Sequence, residues 1–246
     1  MVNVDQQRLQ NEIQHGQFLS AHGAGAIWNW ETPAGKRRWA RRVRMLTENL
    51  AADMKILELG CGTGYFTKQL VKTGALVTAV DISPDLLNLA RLGVQTSNVE
   101  FALENAHATS FASRSFDSVL GSSVLHHLDV ERAIAEVFRV LRPGGSIAFT
   151  EPNMLNPQIA IQKKIPFVKR RLGDSPDETA FFKWSLATRL RKCGFEGVSI
   201  CPFDFLHPAI PRPLVGPMEG ICAMVERVPI LREIAGSLLI RAGKPD

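Results

Sequence analysis

The chain has 246 residues, of which 45% are hydrophobic, and carries a net charge of +5. This length and composition indicate one large globular domain, or one domain with an appendage, and exclude a low-complexity or disordered chain. Its apolar runs are far shorter than the ~20 residues that span a bilayer, and Met1–Asp5 lacks the basic-then-apolar order of a signal peptide. Its four cysteines form no C-x-x-C pair. We therefore expect a cytoplasmic protein with reduced thiols.

The first 50 residues are predicted to form an N-terminal helical cap. Within Lys36–Leu46, helical spacing places Trp39, Val43 and Leu46 on one face and most of the arginines elsewhere. This pattern favours a solvated basic face. The alternative is an electropositive rim for an anionic substrate.

Residues 55 to 150 alternate short apolar runs with helical periodicity, which predicts a parallel, doubly wound α/β sheet. The candidate strands are 55–59, 76–81, 98–103, 116–121 and 146–150, and the candidate helices are 64–73, 84–92 and 130–141. Ser83 is placed to cap the second of these helices, with Pro84 at its first position.

A glycine-rich turn follows the first strand, which ends near Glu58. Gly60, Gly62 and Gly64 alternate with small residues just before a predicted helix. Such a turn lets backbone approach a charged small molecule. Asp81 ends the second strand, where a carboxylate accepts hydrogen bonds from a ribose diol. Together these features predict a nucleoside-containing cofactor at the carboxyl edge of the sheet.

The glycine spacing argues against a nicotinamide dinucleotide. The last glycine of G-x-G-x-x-G, counted from Gly60, is replaced by Tyr65, whose bulk would crowd a pyrophosphate. A cofactor without phosphate tolerates this side chain better. A dehydrogenase is therefore the least favoured enzyme class.

Five segments resemble, in order, the motifs of the class I S-adenosylmethionine (SAM) dependent methyltransferases, and most closely the small-molecule group called type 11. They are Ile56–Phe66, Val80–Ser83, Glu104–Ala106, Ser115–Leu128 and Leu141–Ser146. The resemblance covers roughly residues 40 to 150. It implies a Rossmann-like seven-stranded sheet, mostly parallel with an antiparallel last strand, helices on both faces, and SAM as cofactor.

The resemblance also implies a set of cofactor-binding residues. Asp81 would bind the ribose, Ile82 would pack on the adenine, and Glu58 would support the glycine turn. Asn105 stands where the family often has a carboxylate, and its carbonyl oxygen still suits the adenine amino group. The full set is Glu58, Gly60, Cys61, Gly62, Gly64, Asp81, Ile82, Asn105, Ala106 and Ser122.

Three residues beyond the fourth and fifth strands are candidates for catalysis. His126 and His127 are each either a general base or a structural side chain. Glu151 either serves as a base or substrate ligand, or bonds the turn at Pro152–Asn153. No metal site is predicted, because adjacent histidines on a helix point apart and no H-E-x-x-H is present.

Residues 51–246 are predicted to form the SAM-binding methyltransferase domain, with pocket-forming insertions at about 152–178 and 205–235. A helix over 179–193, a strand over 197–203 and a last strand over 237–242 resume the fold. The basic Lys163–Arg171 and the apolar stripe within Leu214–Val225 suggest an amphipathic acceptor carrying phosphate, or peripheral membrane contact.

The resulting prediction is methyl transfer from SAM to a small-molecule, glycan or lipid-linked acceptor. A nucleic acid is less favoured, because the fourth strand is followed by Gly121–Leu125 and not by the Asn/Asp-Pro-Pro-aromatic box of base-methylating relatives. RNA methylation and a non-catalytic partner subunit with this fold remain alternatives. The oligomeric state is left open.

Overall fold

The computed structural model describes residues 4–23, 29–172, 174–175 and 177–246. The strands are β1 (Lys55–Leu59), β2 (Leu76–Asp81), β3 (Val99–Leu103), β4 (Phe116–Ser122), β5 (Leu141–Pro152), β6 (Glu196–Phe203) and β7 (Ser237–Gly243). The helices are α1 (Val4–His22), α2 (Pro33–Thr47), α3 (Thr67–Leu70), α4 (Pro84–Gly93), α5 (Val130–Val140), α6 (Pro157–Lys164), α7 (Pro166–Arg171), α8 (Lys183–Cys193), α9 (Val215–Val225) and α10 (Pro229–Arg232).

All seven strands form one sheet in the order β3-β2-β1-β4-β5-β7-β6. β7 is antiparallel to both neighbours, and the other pairs are parallel, which confirms the predicted fold class. The chain order reverses where β1 lies between β2 and β4. Ligands of open α/β sheets bind at the carboxyl edge beside such a reversal.

Apolar side chains cover both faces of the sheet, as the short apolar runs of buried parallel strands predict. One face packs against α5 and α8, for example through Ile134 and Leu186. The other packs against α2, α3 and α4, through Leu46, Leu70 and Leu87. The sheet is therefore fixed from both sides, and its carboxyl edge is left for the site.

Several predicted boundaries are wrong. The helix predicted over 64–73 begins only at Thr67, because residues 62–66 form turns, and it changes to a 3-10 turn at Val71–Thr73. The helix predicted over 179–193 begins at Lys183, since Phe181 pairs as a bridge with Asn153. The fifth strand extends well beyond 146–150. Beyond the fifth strand, where turns were expected, the chain forms α6 and α7.

The predicted N-terminal helical segment consists of α1 and α2, while residues 1–3 and 24–28 lie outside the described part. α1 crosses the start of α4 so closely that a Cβ atom at Gly16 would lie 2.4 Å from Ser83 Oγ. Ser83 caps α4 as predicted, accepting a hydrogen bond from Leu86 N. The close crossing places α1 beside the carboxyl end of β2.

Among the residues that the structure describes, no helix combines the length and apolarity needed to cross a bilayer. The four cysteines are free thiols, as predicted, and Cys61 and Cys222 are buried.

Candidate active site

A cavity of about 830 Å³ lies at the carboxyl ends of β1, β2 and β4. Its wall also includes residues of α1, α2 and α6, among them Leu9, Trp39 and Gln162. Small-molecule pockets span roughly 300–1,000 Å³, so this volume suits a cofactor and an acceptor together. The predicted site residues that line it are Glu58, Gly60, Cys61, Gly62, Asp81, Ile82, Asn105, Ala106, Ser122, His126 and His127. Gly64 and Glu151 are not part of the lining.

The glycine turn has the backbone conformation that only glycine adopts readily. Gly60, Gly62 and Gly64 have φ values of 65°, 54° and 75°. A Cβ atom at Gly60 would lie 2.5 Å from Val124 Cγ2, so a side chain there would displace its neighbour. The turn therefore presents bare backbone to the cavity. Gly64 instead faces Ala90 of α4.

Asp81 joins this turn to the start of α4. Its Oδ2 accepts a hydrogen bond from Gly62 N at 2.8 Å, and its Oδ1 accepts one from Ser83 N at 2.9 Å. Burial raises the pKa of the carboxyl, although these backbone donors oppose the shift. Each carboxylate oxygen accepts two bonds, so Asp81 keeps acceptor capacity for a ribose.

Glu58 lies beneath the turn and is 1% exposed. Burial raises its pKa to about 8, against the opposing hydrogen bond from Thr67 Oγ1 at 2.6 Å and with help from the charge of Asp81. The side chain is therefore a neutral acid at pH 7. The sequence does not mark Thr67 as part of the site, because it is an ordinary polar residue inside the helix predicted over 64–73.

The side chains of Asn105 and Ser122 are already engaged by the protein. Asn105 Oδ1 accepts a hydrogen bond from His107 N at 3.0 Å, and the Ser122 hydroxyl lies 3.1 Å from that of Thr150. The predicted contact with the adenine amino group would use the remaining lone pair of the Asn105 oxygen.

His126 and Glu151 form a buried pair beneath the 3-10 turn Leu125–His127. His126 Nδ1 lies 2.7 Å from Glu151 Oε2, while Glu151 Oε1 accepts hydrogen bonds from Val124 N and Leu125 N. Burial and the neighbouring His127 lower the pKa of His126. Glu151 is fully buried and bonds this turn instead of the predicted Pro152–Asn153 turn. The placement favours a positioning role for Glu151.

His127 lies against α1. Its Nδ1 is 2.8 Å from Glu12 Oε2, at an angle outside hydrogen-bond geometry, so the contact is an ion pair. Burial opposes the charged imidazolium, but Glu12, Glu178 and Glu151 outweigh it and raise the pKa of His127. Among the candidate bases, His127 is thus the one held ready to carry a proton.

Glu178 lies beside the two histidines and forms an ionisable cluster with them, Glu12 and Lys163. Its Oε1 lies 3.8 Å from His127 Nδ1, and its Oε2 lies 3.8 Å from His126 Nε2 and 2.5 Å from Lys163 Nζ. Burial alone would raise the pKa of Glu178, yet the charges of His127 and Lys163 lower it. Glu12 and Glu178 were missed by sequence reasoning, because no local motif marks them.

The argument that the adjacent histidines point apart is wrong. Their ring centroids lie 4.2 Å from each other, and ligand atoms of His126, His127 and Glu178 all lie within 4.8 Å of one another. The Lys163 ammonium, however, occupies the Glu178 carboxylate and would repel a cation. The cluster is therefore arranged as a charge network.

The predicted solvated basic face of α2 is wrong for three arginines. Arg38 Nε and Arg42 Nη2 lie 2.9 and 3.2 Å from Asp204 Oδ2, and Arg41 forms a two-point ion pair with Glu226. Arg42 is buried and also lies over the rings of Trp30 and Phe203. These charges serve internal contacts.

Comparison with known proteins agrees with this geometry. A family model described as a methyltransferase domain matches residues 57–149. The demethylmenaquinone methyltransferase of Tropheryma whipplei is 28% identical over 194 residues, covering 72% of this chain and 81% of that protein. The ubiquinone biosynthesis O-methyltransferase of Coxiella burnetii is 28% identical over 134 residues, covering 51% and 57%.

The family-model match and these relatives, together with the seven-stranded sheet, support a class I SAM-dependent methyltransferase. The solved N-methyltransferase NodS of Bradyrhizobium japonicum, which holds S-adenosylhomocysteine, shares the fold with a TM-score of 0.64 and 19% identity over 96% of this chain and 100% of that one. The enzyme uses SAM as its methyl donor.

The residues of the cavity suit this cofactor. Gly60 and Gly62 offer bare backbone in the cavity lining, and the carboxyl groups of Glu58 and Asp81, whose pKa values are raised by desolvation, would ionise beside a cation. Bound SAM supplies a methyl group on a sulfonium, which is its own leaving group. We expect Asp81 and the glycine turn to hold it.

Replacing Asp81 with alanine is expected to weaken SAM binding more than tenfold, or over ~1.4 kcal/mol, because the ribose acceptor and the anchor of Gly62 N are both lost. Calorimetric titration measures the change. Asp85→Ala, which removes a carboxyl from the first turn of α4 outside the cavity lining, serves as the control. Unchanged affinity in Asp81→Ala would remove Asp81 from the ribose role.

Binding of SAM near pH 7 is expected to release a proton from Glu58. The free protein keeps Glu58 protonated, since its pKa is about 8, and a nearby cation favours the ionised form. Affinity should therefore rise as pH increases from 6 to 8. Calorimetry in two buffers of different ionisation enthalpy counts the protons. Glu58→Gln should abolish the release, and a count of zero in the unaltered protein would contradict the idea.

Proposed function

We propose that this enzyme methylates a hydroxyl group on a small amphipathic molecule, with His127 as the general base. The observation that carries the proposal is the place of His127, on the wall of the cavity that also contains the glycine turn and Asp81. Its raised pKa, maintained by Glu12, suits a group that must accept a proton.

In the proposed step the charge of Glu12, whose Oε2 lies 2.8 Å from His127 Nδ1, favours the tautomer with its proton on that nitrogen. With the proton of neutral His127 on Nδ1, facing the Glu12 carboxylate, Nε2 is left to accept the hydroxyl proton. The oxygen forms its bond to the methyl carbon while the bond from sulfur to that carbon breaks. Glu12 then stabilises the imidazolium. His126, kept neutral and bonded to Glu151, positions the turn that carries His127.

The acceptor chemistry follows from the cavity wall. Beyond the ionisable cluster the lining becomes apolar at Ile159, Leu172 and Leu206. A molecule with one polar, hydroxyl-bearing end and one apolar end matches both regions. Two relatives named for quinone methylation support this class of acceptor.

We further propose that α1, as part of the N-terminal helical cap of residues 1–50, closes the methyltransferase domain over its substrates. Asn11 donates a hydrogen bond to Asp177 at 2.7 Å, and Ser175 Oγ donates one to Glu12 at 2.6 Å. Both partners belong to the predicted insertion at 152–178. Closure across the cavity mouth excludes water, which supports alignment of the nucleophile with the methyl group.

The test is transfer of labelled methyl from SAM to a panel of polyprenylated phenols and quinols, short-chain phenols, amines, and tRNA. We expect label in hydroxyl acceptors that carry an apolar chain, and a loss of turnover in Asp81→Ala. Label in tRNA would instead favour RNA methylation. SAM binding without turnover on any acceptor would favour the non-catalytic partner subunit.

A further inference from the structure

Helix α9 is apolar but largely uncovered. Glu219 is the one charged residue in its sequence VGPMEGICAMV, and only Val215 and Cys222 are buried. Ile221 and Met224 are exposed, as is Ile230 in α10, with 82% of its surface accessible. A helix that is apolar on most of its surface is normally buried against another body.

A second apolar surface lies on α6 and α7. The exposed side chains here are Ile161, Ile165 and Phe167, the last with 65% of its surface accessible. The opposite side of α6 faces inward, where Ile159 and Gln162 line the cavity. Helix α6 thus separates the cavity from the outside.

The two surfaces adjoin. Asn156, which caps α6, donates a hydrogen bond to Ile234 O just after α10, at 2.9 Å. Gln158 of α6 lies 3.2 Å from His207, in the segment that leads towards α9. We call the exposed apolar side chains of α6–α7 and of residues 221–234 the apolar rim.

Exposed basic side chains lie beside the apolar rim. Lys164, Arg170 and Arg171 are exposed beside Ile165 and Phe167. Glu226 pairs with Arg41 and Glu233 with Lys183, so the exposed acid of α9 and α10 is Glu219, which lies 4.0 Å from Arg37. Two copies meeting through this rim would oppose like charges. An anionic surface would attract it.

We propose that the apolar rim docks on an anionic phospholipid membrane, so that the cavity opens at the lipid surface. Apolar side chains at the acyl boundary and basic side chains at the headgroups together give interfacial binding. The inference goes beyond the proposed function and stands independently of the acceptor's identity.

The experiment is sedimentation of the full chain with vesicles of phosphatidylglycerol and phosphatidylcholine, and with phosphatidylcholine alone. We expect binding to the anionic vesicles only, weakening as salt rises. The double variant Phe167→Ser/Ile230→Ser and the double variant Arg170→Glu/Arg171→Glu should each bind about tenfold more weakly. Leu92→Ser, which removes a 73% exposed leucine from α4, should bind like the unaltered chain.

SAM affinity, measured by calorimetry, should stay the same in every one of these variants, which separates failure of docking from failure of the proposed methyl transfer. Equal sedimentation with both vesicle types, or unchanged binding in both rim variants, would overturn the proposal. Absence of sedimentation at low salt would do so too, as would a dimer that only the rim substitutions dissociate in vesicle-free solution.

Discussion

Replacing His127 with asparagine is expected to lower kcat by about 10²- to 10⁴-fold while SAM affinity changes little, the range typical of losing a general base. Asparagine keeps a polar side chain of similar reach but does not take up a proton at neutral pH. Steady-state kinetics on the acceptor identified in the methyl-transfer panel measures kcat, and calorimetry measures the affinity. A kcat within threefold of the unaltered enzyme would rule out the base role.

The pH dependence separates a base from a structural histidine. The proposed mechanism requires a neutral His127, so kcat/KM should rise with pH through a midpoint above 6.5, because Glu12 and Glu178 raise its pKa. Glu12→Gln removes the nearest carboxylate, so the midpoint should move to lower pH. A purely structural His127 would leave the midpoint unchanged in Glu12→Gln.

The arrangement of the glycine turn and Asp81 could be predicted from the sequence because its parts lie close together along the chain. The glycine turn joins β1 directly to the next helix, and Asp81 ends the neighbouring strand. Local patterns of apolar runs, turns and acids record such arrangements. The strands were found for the same reason, since buried parallel strands are continuous apolar runs.

The ionisable cluster around His127 could not be predicted, because its contacts join distant parts of the chain. Glu12 comes from α1 and Glu178 from the loop after α7, and both approach His127 only in the folded protein. The same cause explains the error on α2. A row of arginines indicates a solvated face only when no acid reaches it, and Asp204 lies 162 residues beyond Arg42.

Replacing Arg42 with methionine is expected to lower the free energy of unfolding by about 3 kcal/mol or more, a large share of the ~5–15 kcal/mol typical of a domain. Arg42 is buried, lies 3.2 Å from Asp204 Oδ2 and bonds the buried Ser237 hydroxyl. Burial lowers its pKa to about 10, in spite of the Asp204 charge, so Arg42 remains charged at pH 7. Methionine fills much of the volume of the arginine side chain. Of the two arginines beside Asp204, Arg38 then remains.

Urea denaturation compares this variant with Arg44→Met, an exposed arginine on the same helix, whose loss should change stability by less than ~0.5 kcal/mol. The double variant Arg42→Met/Asp204→Asn should lose less than the sum of the two single changes, because the contact between Arg42 and Asp204 is lost only once. Equal losses in Arg42→Met and Arg44→Met would show that the buried pair contributes no more than a surface arginine. Strict additivity in the double variant would show that Arg42 and Asp204 act independently.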